Sequence, residues 1–125
     1  MQARPVSRAT AEHYTWGDQC DGWHMVKDKE LSVIEEQMPA GACEVLHYHG
    51  QAQQFFFVLS GEAVMEVDGC EIRLAAREGS RILPGVPHRI RNESREPVQF
   101  LVISQPPSHG DRVASRVHPG VLSLG

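Results

Sequence analysis

From Leu31 onward the chain is a succession of short runs rich in β-branched and aromatic residues, each closed by turn-forming residues. The runs are Leu31–Met38, Cys43–Leu46, Gln54–Leu59, Ala63–Val67, Cys70–Leu74, Ser80–Leu83, Arg89–Arg91 and Pro97–Ser104. Pro39-Ala40-Gly41, Ser60-Gly61, Asp68-Gly69, Glu78-Gly79 and Pro84-Gly85 separate them. Asp68-Gly69 between two strand-like runs predicts a two-residue hairpin, because a type I′ turn needs positive φ at both central positions. No segment after residue 30 carries sustained helical periodicity with caps. The pattern predicts an all-β antiparallel sandwich or barrel.

Two runs, Phe55-Phe56-Phe57-Val58-Leu59 and Phe100-Leu101-Val102-Ile103, are apolar at successive positions, so both faces of these strands are expected to be covered. In so short a chain the second cover is expected to be another copy, making a homodimer, in preference to the terminal segments. Phe56, Val58, Ile72, Leu74, Ile90 and Val102 are the expected interior residues. Residues 1–30 are polar and read as a short irregular arm, with Trp16 and Trp23 either lining a pocket or pinning the arm to the barrel. Residues 105–125, with three prolines, read as an irregular tail that is mobile or draped over the barrel. The whole is expected to be one domain, 1–125, with its barrel over 31–104.

Composition narrows the classes of function. A net charge of −4 and the absence of a dense Lys/Arg run argue against nucleic acid as a partner. No apolar run approaches the roughly 18 residues of a membrane span, and the first ten residues lack a signal peptide's apolar stretch. Three scattered cysteines, Cys20, Cys43 and Cys70, form neither a disulfide framework nor a CxxC metal pair. The chain is therefore expected to be cytoplasmic, with reduced thiols.

The chemistry-bearing residues are His47, His49, Gln54 and His88. Side chains alternate along a strand, so His47 and His49 project from one face into one interior. Gln54 follows the Gly50–Gln53 turn and can return on a neighbouring strand, and the Gly/Pro turn before His88 can bring it in from a third. Three imidazoles and an amide oxygen make a site for one divalent transition metal ion, with Zn, Fe, Mn, Ni and Co all compatible. Isolated strand histidines are ordinarily just hydrogen-bonded polar residues, but three at these spacings favour a metal. Gln54 has the alternative of bonding the ligands from behind. Asn92 reads as a turn or capping residue, and Tyr48 points away.

The spacings resemble the two signature motifs of the cupin superfamily. Gly41, His47-Tyr48-His49, Gln54 and Gly61 match the first motif at every interval, with Gln54 where most metal-binding members carry Glu. Gly79, Pro84-Gly85, His88 and Asn92 resemble the second, which is two residues short before Gly85. The resemblance spans residues 41–104 and implies a double-stranded β-helix, or jelly roll, of about eight strands. It also implies His47, His49, His88 and, less directly, Gln54 as ligands. The activities it offers are oxygenation by iron, isomerisation or epimerisation of sugar phosphates, and decarboxylation or lyase chemistry. A non-catalytic ligand-sensing barrel is the alternative, and a three-histidine iron site like that of thiol dioxygenases is the alternative geometry.

Gln54 has an electrostatic consequence. Neutral imidazoles and a neutral amide leave the ion's double charge uncompensated, so open coordination positions should favour a small anion and acidify bound water. The motifs supply no general acid or base beyond the ligands. Glu36 qualifies only if its strand face points inward.

Overall fold

The computed structural model describes residues 3–108 and 110–115. Its strands are β1 (Glu12–Trp16), β2 (Cys20–Lys27), β3 (Ser32–Met38), β4 (His47–His49), β5 (Gln53–Ser60), β6 (Ala63–Val67), β7 (Cys70–Leu74), β8 (Gly79–Ile82), β9 (His88–Arg91), β10 (Val98–Gln105) and β11 (Arg112–Ala114). They form one sheet ordered β1-β2-β3-β10-β5-β8 and a second ordered β11-β4-β9-β6-β7. Every pairing within them is antiparallel. The two sheets close on each other as a double-stranded β-helix, in agreement with the expected all-β class. Among the described residues no helix is long and apolar enough to cross a membrane.

Local chemistry accounts for the turns. Asp68 and Gly69 both take positive φ, +50° and +84°, and the hairpin they close pairs Val67 with Cys70 as the dipeptide predicts. Gly61 also sits at positive φ, +85°, and a Cβ there would lie 2.7 Å from the Pro97 carbonyl oxygen. The close approach of β5's end to β10's start therefore needs glycine at this motif position.

Side chains from both sheets fill the interior. Met38, Phe56, Val58, Met65, Leu74, Ile82, Ile90, Val98, Phe100 and Val102 are buried together. Each large apolar group withdrawn from water this way is worth about 1.5–3 kcal/mol before the entropy of ordering it. Five of the six expected interior residues are among them, and Ile72, 39% exposed, is not. Its phase is right, since it stands opposite buried Met65, but β7 is the last strand of its sheet and overhangs the core.

The two ends of the chain correct the sequence reading. The supposed irregular arm, residues 1–30, contains β1 and β2, which extend the first sheet by antiparallel pairing onto β3. With these two and β11, the described chain has eleven strands, not about eight. The face that β1 and β2 turn to the barrel is partly polar, which hides the alternation that normally reveals a strand. The tail is draped over the barrel as far as it is described: β11 pairs with β4, Arg112 opposite His49 and Ala114 opposite His47. Its remainder, residues 116–125, lies outside the described residues. The tryptophans divide the two roles. Trp16 packs against the core and lines the central cavity, whereas Trp23 lies under the Arg8 guanidinium, 3.9 Å from ring centroid, and pins the N-terminal segment.

Candidate metal centre

Histidines 47, 49 and 88 converge inside the barrel. Strand alternation in β4 buries His47 and His49 and leaves Tyr48 half-buried on the other face. His88 opens β9 directly opposite His47. Ring centroids lie 4.5 Å apart for His47 and His88, 5.0 Å for His47 and His49, and 5.7 Å for His49 and His88. One ligand nitrogen from each can be chosen so that all lie within 4.8 Å of one another.

Each imidazole is held through Nδ1. His47 Nδ1 meets the Val45 carbonyl at 2.7 Å, His88 Nδ1 the Val86 carbonyl at 2.9 Å, and His49 Nδ1 the Asp111 carboxylate at 2.9 Å. An oxygen that can only accept requires the N–H on Nδ1, which makes Nε2 the unprotonated nitrogen of each ring, the one that can ligate an ion. Burial pushes His47 down to about 3 and His88 down to about 4, so both rings are neutral at neutral pH.

Gln54, on β5, is 6% exposed and reaches the same point. Its Nε2 donates to Ser104 Oγ at 3.0 Å, and its Oε1 lies 2.9 Å from His88 Nε2. With the His88 proton on Nδ1, two lone pairs face each other across that distance. This is unfavourable alone, but it matches two neighbouring ligands of one ion, since donors about 2.1 Å from a metal at right angles are about 3 Å apart. The donor set therefore fits a divalent ion. Asn92 is no ligand: its Nδ2 donates to the Met38 and Glu96 carbonyls, and its Oδ1 accepts from Ser94, an Asx-type staple.

Beside His47 and His49 lies a cavity of about 280 Å³, bordered also by Tyr14, Glu36, Glu44 and Arg112. Glu36 does face inward. Burial, then the nearby Glu44 charge, pushes it up to about 8, and burial pushes Glu44 up to about 7. Tyr14 Oη donates to Glu36 Oε2 at 2.7 Å, and burial holds the phenol well above its ordinary range. Tyr14 reaches Glu36 across Gly22, which stands opposite both residues in the sheet; a Cβ on Gly22 would lie 2.3 Å from the Tyr14 ring. Glu44 Oε1 is 3.9 Å from His47 Nδ1, and its Oε2 is 3.8 Å from the Arg112 guanidinium. Of these four, the sequence singled out only Glu36. Tyr14, Glu44, Arg112 and Asp111 carry no motif spacing; Glu44 stands three residues before His47, and strand pairing brings the other three to the site.

Comparison with known proteins agrees with this geometry. An uncharacterised protein of Methanocaldococcus jannaschii is 29% identical over 89 residues, covering 70% of this chain and 71% of that protein. A predicted oxalate decarboxylase of Thermotoga maritima superposes with TM-score 0.76 at 17% identity, covering 83% of this chain and 100% of the other. A cupin-superfamily sugar phosphate isomerase of Silicibacter pomeroyi superposes with TM-score 0.72 at 17% identity, covering 83% and 76%. The cupin-domain family profile matches residues 34–104, which are more than half of the chain and include all four sequence-expected site residues. With the barrel topology and the three-histidine cluster already in place, that match makes the chain a member of the cupin family.

Proposed function

We propose that this cupin binds one divalent metal ion through Nε2 of His47, His49 and His88 and the amide oxygen of Gln54. We propose further that it is an enzyme acting there on a small anionic organic molecule by moving a proton. The observation that carries the reading is the composition of the cavity wall, where His47, His49 and Gln54 share one space with Tyr14, Glu36, Glu44 and Arg112. Arg112 supplies the cationic group an anion needs. Glu36 is a carboxyl that can hold a proton at neutral pH, which is what a general acid or base requires. A bound ion would add Lewis acidity toward a carbonyl or carboxylate. About 280 Å³ admits a small molecule only.

Proton-transfer chemistry of this kind covers isomerisation, epimerisation and decarboxylation, and it makes less use of molecular oxygen than a dioxygenase would. The names of the two solved relatives, an oxalate decarboxylase and a sugar phosphate isomerase, both concern small anions, and they choose the substrates to try first.

Elemental analysis of the purified protein should find one divalent ion per chain, and His47→Ala with His49→Ala should remove it. Unchanged metal content in that double variant refutes the ligand set. The loaded protein is then offered small carboxylates and sugar phosphates, with products followed by NMR in aerobic and anaerobic buffer. Turnover in both atmospheres supports the proposal, and turnover only with oxygen would refute it in favour of oxygen-dependent chemistry. Tight anion binding with no turnover would make it a binding barrel.

A further inference from the structure

Two of the three ring orientations are set locally. His47 and His88 each give their Nδ1 proton to the carbonyl two residues upstream, Val45 and Val86, so the loops that deliver them also aim them. His49 is aimed from elsewhere: its Nδ1 partner is Asp111, sixty-two positions further along the chain and beyond the stretch that matches the cupin family.

Asp111 is itself held firmly. Its Oδ2 accepts from the Gln51 and Ala52 amides, both at 3.0 Å, and its carbonyl accepts from the Gly50 amide at 3.2 Å. The carboxylate thus ties the turn after His49 to the ring of His49. Its burial would raise its pKa, but these N–H groups outweigh that and keep it below the ordinary carboxylate range. Next to it, β11 runs along β4, and the Ser115 amide donates to the Leu46 carbonyl at 2.8 Å. A carboxylate on the rear nitrogen of a ligating histidine fixes its tautomer and rotation and makes the front nitrogen more basic.

We propose that Asp111 is a positioning residue for the metal centre, presenting His49 Nε2 to the ion from the position just before β11, outside the cupin-matched core. The proposal rests on the metal reading above. Asp111→Asn separates this role from simple packing. A single amide oxygen cannot accept both from His49 and from the Gln51 and Ala52 amides, so its NH2 group must oppose one of these donors.

The test measures Zn²⁺ and Co²⁺ affinity by chelator competition in the unmodified protein, in Asp111→Asn and in Val113→Ser. Val113 is an exposed β11 residue and controls for integrity of the strand. Asp111→Asn should lose affinity about 10- to 100-fold, the size usual for removing such a partner, while Val113→Ser should not. Nitrogen-15 NMR of the metal-free proteins reads the His49 tautomer directly. The unmodified protein should carry the proton on Nδ1, and Asp111→Asn should shift it toward Nε2. Equal affinity with an unchanged tautomer overturns the proposal, as does an equal loss of affinity in both variants. A metal-free protein that never takes up metal would sink the metal reading, yet the tautomer measurement would still decide the role of Asp111.

Discussion

Replacing Gln54 with Glu is the most direct probe of the proposed ligand set. Gln54 Oε1 lies 2.9 Å from His88 Nε2 in a pocket where the residue is 6% exposed, so the new carboxylate would sit against the ion with little screening. A unit charge about 4 Å from another is worth roughly 4 kcal/mol at an effective dielectric near 20. Desolvating the carboxylate takes back several kcal/mol of that gain, leaving on the order of 1.4–2.8 kcal/mol, or about 10- to 100-fold in metal affinity. The pocket accommodates the change, because Ser104 Oγ, which now accepts from the Gln54 amide at 3.0 Å, can rotate to donate to a carboxylate. The same substitution lowers the net charge of the site by one, so a probe anion such as oxalate should bind the loaded protein more weakly. Gln54→Leu should loosen the metal and leave three histidines. Chelator competition for Zn²⁺ and Co²⁺, followed by calorimetric titration with oxalate, measures all of this. Equal metal and oxalate affinities in Gln54→Glu and the unmodified protein would refute the reasoning. Gln54 would then stay off the ion, and the metal would be held by three histidines and water.

Two further outcomes follow from the same geometry. In metal-free protein, Glu36 and Glu44 have folded-state pKa values of about 8 and about 7, above their unfolded values, so the folded state holds extra protons and stability falls as pH rises toward 8. His47 and His88 act oppositely, but their contribution is complete above their unfolded value near 6.5. Chemical denaturation between pH 6.5 and 8.5 should therefore show a falling stability that Glu36→Gln makes shallower, and an unchanged slope would show that Glu36 is not the buried acid. Phe55, Phe57, Leu101 and Ile103 line the outer face of β5 and β10, and Phe55 is 39% exposed. We propose that a second copy covers this stripe, so sedimentation at micromolar concentration should give a dimer that Phe57→Glu splits, and a monomeric unmodified protein would refute it.

What the sequence determined by itself were features that depend on neighbours along the chain. The period-2 spacing of His47 and His49 put both on one face, because a strand alternates whatever it pairs with. Asp68-Gly69 specified its hairpin through backbone sterics alone. Of the residues expected inside from the central runs, Phe56, Val58, Leu74, Ile90 and Val102 are core. Ile72 escaped because its exposure depends on β7 being an edge strand, a property of sheet order. Tertiary structure decided the rest. Tyr14, Glu36 and Arg112 share a cavity with His47 and His49 only because β1, β2 and β3 join one sheet and β11 joins the other. Polar side chains facing a cavity break the hydrophobic alternation by which strands are recognised, so β1 and β2 looked irregular. Asp111 reaches His49 across sixty-two positions of sequence, and no local pattern records such a contact, because strand pairing and not chain proximity supplies it.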